Sequence, residues 1–167
     1  MALVTEDGTG LSTAESYLSV ADADTYWSNR GNATWAAATT ANKEEALRRA
    51  TQYLDGTFRW IGSILTMTQA LGWPRAGAWD HEERTLADQV PVLLEQATAE
   101  LALEGLSAEL LVTVARTDRA SRVKAGSVEV EFEMGVSSQK AFALAYRYLA
   151  PLIESRIGGG VVDLVKS

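Results

Sequence analysis

The apolar positions of this chain recur mostly at the spacing of an amphipathic helix. The clearest run predicts a helix that begins near Asn42, where Glu45 follows three residues later, and ends near Asp55-Gly56. Its inward positions lie three and four residues apart: Ala46, Leu47, Ala50, Tyr53 and Leu54. We therefore expect one face of this helix to lie in the core.

A shorter helix is predicted before it. Ser19-Val20-Ala21-Asp22 has the form of a capping box, in which the first side chain binds the amide three residues on. This helix is expected to end near Gly31, because glycine adopts a left-handed helix end without strain. Residues 32–40 are then expected to form a loop around Trp35.

Two further helices are predicted in the second half of the chain. The first begins at Pro91, which needs no amide partner at a first helical position, and ends near Gly105. Its apolar residues cover more than one stripe, so it should be central: Leu93, Leu94, Ala97, Leu101, Ala102 and Leu103. The second spans 138–150, ahead of Pro151, and its inward set is Phe142, Ala145, Tyr148 and Leu149.

The clearest strand lies between these two helices, where apolar and acidic residues alternate strictly. Its apolar face is formed by Val128, Val130 and Phe132, and the residues between them are glutamates. A two-residue turn at Ala125-Gly126 would place Val123 opposite Val128 and Arg122 opposite Glu129. A two-stranded hairpin is marginal alone, so these residues are also candidates for an inter-subunit contact: Val123, Val128, Val130 and Phe132.

These patterns predict a mainly α fold: a small bundle of about four helices with an inserted β-hairpin and extended N- and C-terminal segments. We expect a single domain over 1–167, since this length supports one sizeable core. Its parts are an N-terminal arm (1–17), a helical core (19–119), the hairpin (120–134), a C-terminal helix (137–157) and a flexible tail (158–167).

The segment Gln69 to Arg75 is predicted to be an ordered loop that fills the core. Gly72 permits unusual backbone angles, Pro74 fixes one, and Trp73 needs burial. Arg75 is then placed to bind a carbonyl or a carboxylate. We expect Trp73, Pro74 and Arg75 to determine the fold at this point.

The charge distribution argues against tight binding to nucleic acid phosphates. The formal net charge is -7, and no Lys or Arg occurs from Thr85 to Ala115. Five acidic residues fall in that stretch: Asp88, Glu95, Glu100, Glu104 and Glu109. We expect an acidic outer surface there, which either is a solvated helix face or repels nucleic acid and binds a basic partner.

Candidate chemistry is sparse. The chain has no cysteine, and its one histidine, His81, lies in Asp80-His81-Glu82-Glu83 without a second nitrogen ligand at metal spacing. There is no phosphate-binding glycine loop, nucleophile elbow or two-histidine motif, and no carboxylate pair stands out. We predict no catalytic, cofactor-binding or metal-binding residue, and hence no enzyme.

The beginning of the chain lacks the basic start and apolar run of a signal peptide, and no segment approaches the length of a membrane span. We therefore expect synthesis in the cytoplasm and no membrane partner.

The aromatic residues leave a second function open. Five tryptophans with nearby arginines are the residue types that stack on bases and bind phosphates in proteins that bind single-stranded DNA: Trp27, Trp35, Trp60, Trp73 and Trp79, with Arg48, Arg49, Arg59 and Arg75. Their spacing and the net charge favour a core role instead.

Four segments, in order, carry a family resemblance: Glu6-Asp7-Gly8-Thr9-Gly10; Ala14 to Trp27; Ala46 to Asp55; and Gln69-Ala70-Leu71-Gly72-Trp73-Pro74-Arg75. Together they resemble the head-tail connector, or adaptor, proteins of tailed bacteriophages. Members of that family are often labelled DnaT-like single-stranded DNA-binding proteins.

The resemblance implies a structural virion protein in the neck, between head and tail, made in the host cytoplasm. It would form a homo-oligomeric ring, with a dodecamer as the expected size, below the portal protein and above tail or neck proteins. DNA would pass through this ring during genome ejection without specific binding, and no cofactor is implied. The alternative function is that of a DnaT-like single-stranded DNA-binding protein.

The C-terminal residues are the first candidate for a portal or neighbour contact. Three glycines, 158–160, precede a short apolar run that we expect to dock on a neighbouring protein: Val161, Val162, Leu164 and Val165. A frayed terminus is the other interpretation.

Overall fold

The computed structural model describes residues 2–80, 82–87, 89–107, 110, 123–125, 128–130 and 136–154, with only the backbone described over 123–142. In chain order the elements are α1 (Val20–Ser28), α2 (Ala33–Ala37), α3 (Thr40–Thr57), β1 (Ser63–Ile64), β2 (Arg75–Ala76), α4 (Val92–Gly105), β3 (Val123–Ala125), β4 (Val128–Val130) and α5 (Val136–Leu149). The mainly helical class with a small antiparallel hairpin is confirmed.

The start of α1 follows the predicted capping box. Ser19 is the N-cap, and its hydroxyl accepts a hydrogen bond from the Asp22 amide at 3.1 Å. The helix ends at Ser28, and the chain then turns through Gly31 at φ +64°. The predicted start and left-handed turn are both confirmed.

The loop predicted over 32–40 is wrong, because α2 lies within it. Asn32 caps this five-residue helix by accepting from the Trp35 amide at 3.0 Å. Burial of Trp35 against the core stabilises a helix too short to form alone.

The predicted start of α3 at Asn42 is also wrong, by two residues. Thr39 is the N-cap and its hydroxyl accepts from the Asn42 amide at 3.3 Å, so Asn42 lies in the first turn. The inward positions are as predicted: Ala46, Leu47, Ala50 and Leu54 are buried, and Tyr53 is half-buried.

The central helix of the bundle is α4, which packs against both α3 and α5. Pro91 is its N-cap in an extended conformation, rather than its first helical residue. Residues on several sides are fully buried, including Ala97, Ala99 and Leu101. Small side chains permit the close approach: a Cβ on Gly105 would lie 3.4 Å from the Ala46 carbonyl oxygen of α3. The prediction of a central helix is confirmed.

The last helix, α5, begins at Val136, two residues before the predicted start. Ala145 and Leu149 are buried and Tyr148 is half-buried, as expected. The side chain of Phe142 lies outside the described part. After α5 the chain turns at Pro151 and pairs with the segment after α3: the Ile61 amide donates to the Leu152 carbonyl, and the Glu154 amide donates to the Arg59 carbonyl.

The hairpin exists, but its predicted register is wrong. Val123 pairs with Val130, Lys124 with Glu129, and Ala125 with Val128. The two residues between the strands are therefore Gly126-Ser127, a dipeptide typical of two-residue hairpin turns, instead of Ala125-Gly126. Apolar residues still pair with apolar and a cation with an anion, so cross-strand complementarity did not distinguish the two registers. Phe132 lies outside the described residues.

The N-terminal segment folds back on its own chain. Thr5 forms a parallel bridge with Ser16, and Glu6 and Tyr17 are buried. The Glu6 carboxylate accepts from the amides of Gly8, Gly10 and Leu11 at 2.8 to 3.0 Å. This cradle of three amides holds the Gly8-Thr9-Gly10 turn against the bundle.

Candidate functional site

The loop that carries Trp73, Pro74 and Arg75 is held by a cluster of buried and half-buried polar groups. Trp73 is fully buried, Pro74 is buried behind a cis peptide bond, and Leu71 is half-buried. The guanidinium of Arg75 donates to the carbonyl oxygens of Ile61 at 2.7 Å, Gly62 at 2.8 Å and Gly72 at 3.1 Å. The prediction that Arg75 binds a carbonyl is therefore confirmed.

One carboxylate joins this loop to α3. Asp55 Oδ1 accepts from the Tyr17 hydroxyl and from Trp60 Nε1, and Oδ2 accepts from the Gly72 amide at 2.9 Å. The Tyr17 oxygen in turn accepts from the Trp73 amide at 3.2 Å. We call Tyr17, Asp55, Trp60, Gly72 and Trp73 the Asp55 network.

The Asp55 network is a buried structural cluster. Burial raises the pKa of the Asp55 carboxyl above its usual value, although the bonds from Tyr17, Gly72 and Trp60 oppose the rise. Burial, followed by the charge of Asp55, raises the pKa of the Tyr17 hydroxyl. Shifted pKa values can mark a reactive centre, but here both Asp55 oxygens and the Tyr17 hydroxyl are used in bonds within the fold.

The sequence pattern did not reveal this network. The pattern marks Asp55 only as the end of a helix and Tyr17 only as the end of the N-terminal arm. Asp55 does carry one signal of the network in the sequence, because it lies at the end of an otherwise apolar helical face. A carboxylate at such a position needs hydrogen-bond donors from another segment of the chain.

The tryptophans lie mostly in the core, as the spacing indicated. Trp27, Trp35, Trp60 and Trp73 are each at most 5% exposed, whereas Trp79 is 57% exposed. The Trp27 and Trp73 ring nitrogens are buried without a hydrogen-bond partner within the described part. Four of the five rings are therefore not placed to stack on a nucleotide base.

Most arginines and the buried lysine that lie near the tryptophans are engaged inside the fold. Arg48 binds Glu15 at 3.0 Å, and Arg49 binds the Gly105 carbonyl at 3.0 Å. Lys43, only 9% exposed, donates to Asp24 at 2.8 Å, and the same carboxylate accepts from Trp35 Nε1 at 2.7 Å. These side chains are used in internal contacts and not in an open phosphate-binding surface.

The acidic segment of α4 is less exposed than we expected. Glu100 accepts from the Tyr26 hydroxyl at 2.6 Å, and burial together with this carboxylate raises the pKa of Tyr26. Glu95 is half-buried, and burial followed by the charge of Asp22 raises its pKa. The expectation of a purely outward acidic face is wrong here, since part of this charge lies between α1 and α4. Asp88 and Glu109 lie outside the described residues.

An aromatic surface outside the predicted set lies where α3 ends against α5. The Phe58 and Tyr146 rings meet edge to face at 5.0 Å between centroids, and Tyr53 meets Phe58 at 6.5 Å. Tyr146 is 46% exposed. Arg59 and Arg147 follow Phe58 and Tyr146 in the sequence and are exposed. We call Tyr53, Phe58, Arg59, Tyr146 and Arg147 the aromatic-arginine face.

An open groove of about 460 Å³ lies between the loop before α4 and the turn after α5. Its apolar lining residues are Leu86, Pro91, Val92, Leu93, Pro151 and Leu152, and its polar rim includes Asp80, Glu82, Arg84, Thr85 and Gln89. Val92 is 63% exposed within it. We call this the α4 groove.

The described residues provide neither a metal site nor a membrane-spanning helix. No group of three or more His, Cys, Asp and Glu side chains is placed to hold a metal ion there. None of the helices is both long and apolar enough to cross a bilayer within that same part. His81 and the tail residues Val161, Val162, Leu164 and Val165 lie outside it, so their predicted roles stay predictions.

The fold and its buried polar network define a small, mainly helical protein with a hairpin inserted before its last helix. The chain belongs to the family described as "Putative DnaT-like ssDNA binding protein", whose model matches residues 1–167. That description agrees with the alternative function given above and makes no mention of a head-tail connector. No curated protein and no solved structure matches the chain.

Proposed function

We propose that this chain is a structural, non-enzymatic adaptor that assembles as a ring below a phage portal and joins head to tail. The observation that carries the proposal is where the four segments of the connector resemblance lie. Glu6 holds the 8–11 turn, Tyr17 and Asp55 belong to the Asp55 network, and the Gly72-Trp73-Pro74-Arg75 loop closes that network. The shared pattern is thus a buried scaffold rather than a site for chemistry.

The surface features support an assembly role. Apolar side chains are exposed at Ile64, Met67, Trp79, Val92 and Tyr146, on several parts of the described surface. A contiguous apolar patch rimmed by polar residues marks a protein contact, and Val92 lies in such a patch, the α4 groove. The net charge of -7 favours a channel through which DNA slides without binding.

The test is electron microscopy of the purified chain mixed with the portal protein encoded by the same genome. We expect a ring stacked on the portal, formed at physiological salt. A matched variant with Val161→Asp and Leu164→Asp tests the tail prediction, because charge within that apolar run should weaken docking. If the wild-type chain stays separate from the portal at micromolar concentration, the adaptor proposal is wrong.

The second candidate function is binding of single-stranded DNA, which the family description favours. The aromatic-arginine face is the described surface that comes closest to the required chemistry, since stacking and phosphate contacts need exposed rings and cations together. Two exposed arginines on a chain of net charge -7 give a weak electrostatic attraction.

A titration of a fluorescently labelled oligonucleotide, followed by anisotropy at low and at physiological salt, separates the two functions. The adaptor proposal expects no binding at physiological salt. A salt-dependent isotherm that Tyr146→Ala and Arg147→Ala weaken, with no ring on the portal, would replace the adaptor by the DNA-binding function.

A further inference from the structure

Two distinct surfaces of the described part have complementary chemistry. The aromatic-arginine face presents one exposed ring, Tyr146, against the half-buried rings of Tyr53 and Phe58. Its two exposed cations, Arg59 and Arg147, follow Phe58 and Tyr146 in the sequence. The α4 groove presents an apolar floor with an acidic rim, where Asp80 and Glu82 are accompanied by one cation among the lining residues, Arg84. No residue belongs to both surfaces.

The aromatic-arginine face has the composition of an interface centre. Tyr and Arg are enriched among the residues that dominate binding energy, and large rings contribute most when they enter a pocket. Phe58 holds Tyr146 edge to face, so the exposed ring is already ordered and loses little freedom on binding. Arg59 and Arg147 form no side-chain hydrogen bond or ion pair with other described residues.

The α4 groove is a suitable receptor for such a ring. Its volume of about 460 Å³ lies within the ~300–1,000 Å³ range of ligand-binding clefts. Its floor is formed by side chains from three segments: Leu86 before α4, Val92 and Leu93 of α4, and Leu152 after α5. The rim acids lie where they can meet incoming arginines, and Glu82 is only weakly satisfied, at 3.7 Å from Arg84.

We propose that the aromatic-arginine face of one copy docks in the α4 groove of the next copy. When each pair of copies makes this contact once, it is heterologous, and its repetition closes a ring when the rotation between copies permits it. A pair of copies that makes the contact twice forms a closed two-fold dimer, and finding only such dimers would contradict the inference. This inference rests on the proposed ring function and supplies its subunit contact.

The absence of cysteine makes the contact directly testable. One chain carries Arg147→Cys, a second carries Gln89→Cys on the groove rim, and the two are mixed with the portal protein and a short bis-maleimide. We expect a crosslinked heterodimer from this pair. The matched control, Thr34→Cys on α2 mixed with Gln89→Cys, should give none, since Thr34 is equally exposed but belongs to neither surface.

Three outcomes of this crosslinking experiment would contradict either the subunit contact or the adaptor function. A homodimer from Arg147→Cys alone would mean that two like faces meet, which excludes the heterologous contact. Rings on the portal without the heterodimer would overturn this inference and leave the adaptor function standing. The heterodimer without rings on the portal would support the contact and overturn the adaptor function.

Charge reversal gives an independent readout. Arg59→Glu with Arg147→Glu should abolish ring formation while thermal unfolding stays unchanged, because both side chains are exposed. Adding Glu82→Lys, on the groove rim, to the same chain should restore rings. If the reversed chain still forms rings but loses oligonucleotide binding, the face is a nucleic-acid surface and the proposed subunit contact is wrong.

Discussion

The Tyr17 hydroxyl donates a hydrogen bond to Oδ1 of Asp55, and this single contact links the N-terminal segment to the end of α3. The same hydroxyl oxygen accepts from the Trp73 amide, so the third partner is the loop between β1 and β2. Three segments distant in sequence are thereby fixed at one buried point. The stability of the fold should depend on this point more than on any exposed ion pair.

Tyr17→Phe removes the hydroxyl while keeping the ring. The Trp73 amide then loses its acceptor and Asp55 loses one donor inside the fold, so we expect a loss of about 1 to 3 kcal/mol in the free energy of unfolding. Urea denaturation followed by circular dichroism measures it. Tyr146→Phe is the matched control, because Tyr146 is 46% exposed, and it should change stability by less than about 0.5 kcal/mol. If Tyr17→Phe and Tyr146→Phe change the free energy of unfolding equally, the Asp55 network is not a major source of stability.

Gly72→Ala should destabilise the protein through a clash. A Cβ at this position would lie 2.6 Å from Trp60 Nε1 and 2.7 Å from Asp55 Oδ1, both held in the network. We expect a cost of about 1 to 3 kcal/mol, the range for forced overpacking. Gly56→Ala is the control in the same region, since nothing lies within 4 Å of its Cβ and α3 favours alanine, so stability should stay equal or rise by up to about 1 kcal/mol. Thermal melts of the two variants give the comparison, and a Gly72→Ala chain as stable as Gly56→Ala would show that the network can move aside.

Arg75→Lys keeps the charge and removes the planar arrangement of donors. Arg75 uses three nitrogens on three carbonyls, and a lysine ammonium cannot span all of them. We expect a loss of about 1 to 2 kcal/mol in the free energy of unfolding. Arg84→Lys, whose partner Asp80 sits in an exposed loop, should change it by less than about 0.5 kcal/mol. Guanidinium denaturation of both variants measures the two losses of stability. Similar unfolding midpoints would mean that the three carbonyl contacts of Arg75 contribute little to the free energy of unfolding.

The Asp55 carboxyl should make stability depend on pH in a defined direction. Burial raises its pKa in the folded chain above the unfolded value of about 3.9, so the folded state holds the proton more tightly. The contribution of this group to stability is then complete below about pH 3.9 and is lost as pH rises through the folded pKa. Asp55→Asn cannot titrate.

We therefore expect the stability difference, wild type minus Asp55→Asn, to be largest in acid and to decline with rising pH to a plateau. Denaturant titrations of both proteins across pH 3.5 to 8 measure this difference directly, because other titrating groups cancel. A difference that grows with pH would mean that the hydrogen bonds from Tyr17, Trp60 and Gly72 outweigh burial.

The helices α1, α3, α4 and α5 were predictable because each has apolar residues at helical spacing and a recognisable start or end. Ser19 with Asp22 specified the α1 start, and Gly31 specified the turn after it. The α2 helix was missed because five residues carry no periodicity, and tertiary burial of Trp35 decides its structure.

The hairpin register and the Asp55 network were harder to predict for a common reason. Both registers of the hairpin pair apolar with apolar, so the outcome depended on which dipeptide forms the turn. The partners of Asp55 lie 38 residues away at Tyr17 and 17 residues away at Gly72, and no local pattern encodes such contacts. The aromatic-arginine face was missed because Tyr146 lies off the inward positions of α5.

The pairing of residues 152–154 with residues 59–61 limits the distance at which the apolar run beginning at Val161 can bind a partner. It anchors Glu154 to Arg59, so the position of Glu154 is fixed close to the end of α3. Seven residue steps separate Glu154 from Val161, and a fully extended chain covers at most about 25 Å in that number of steps. Any surface that receives the apolar run beginning at Val161 must therefore lie within that radius of Glu154, which limits the partners to an immediate neighbour in an assembly or to the bundle itself.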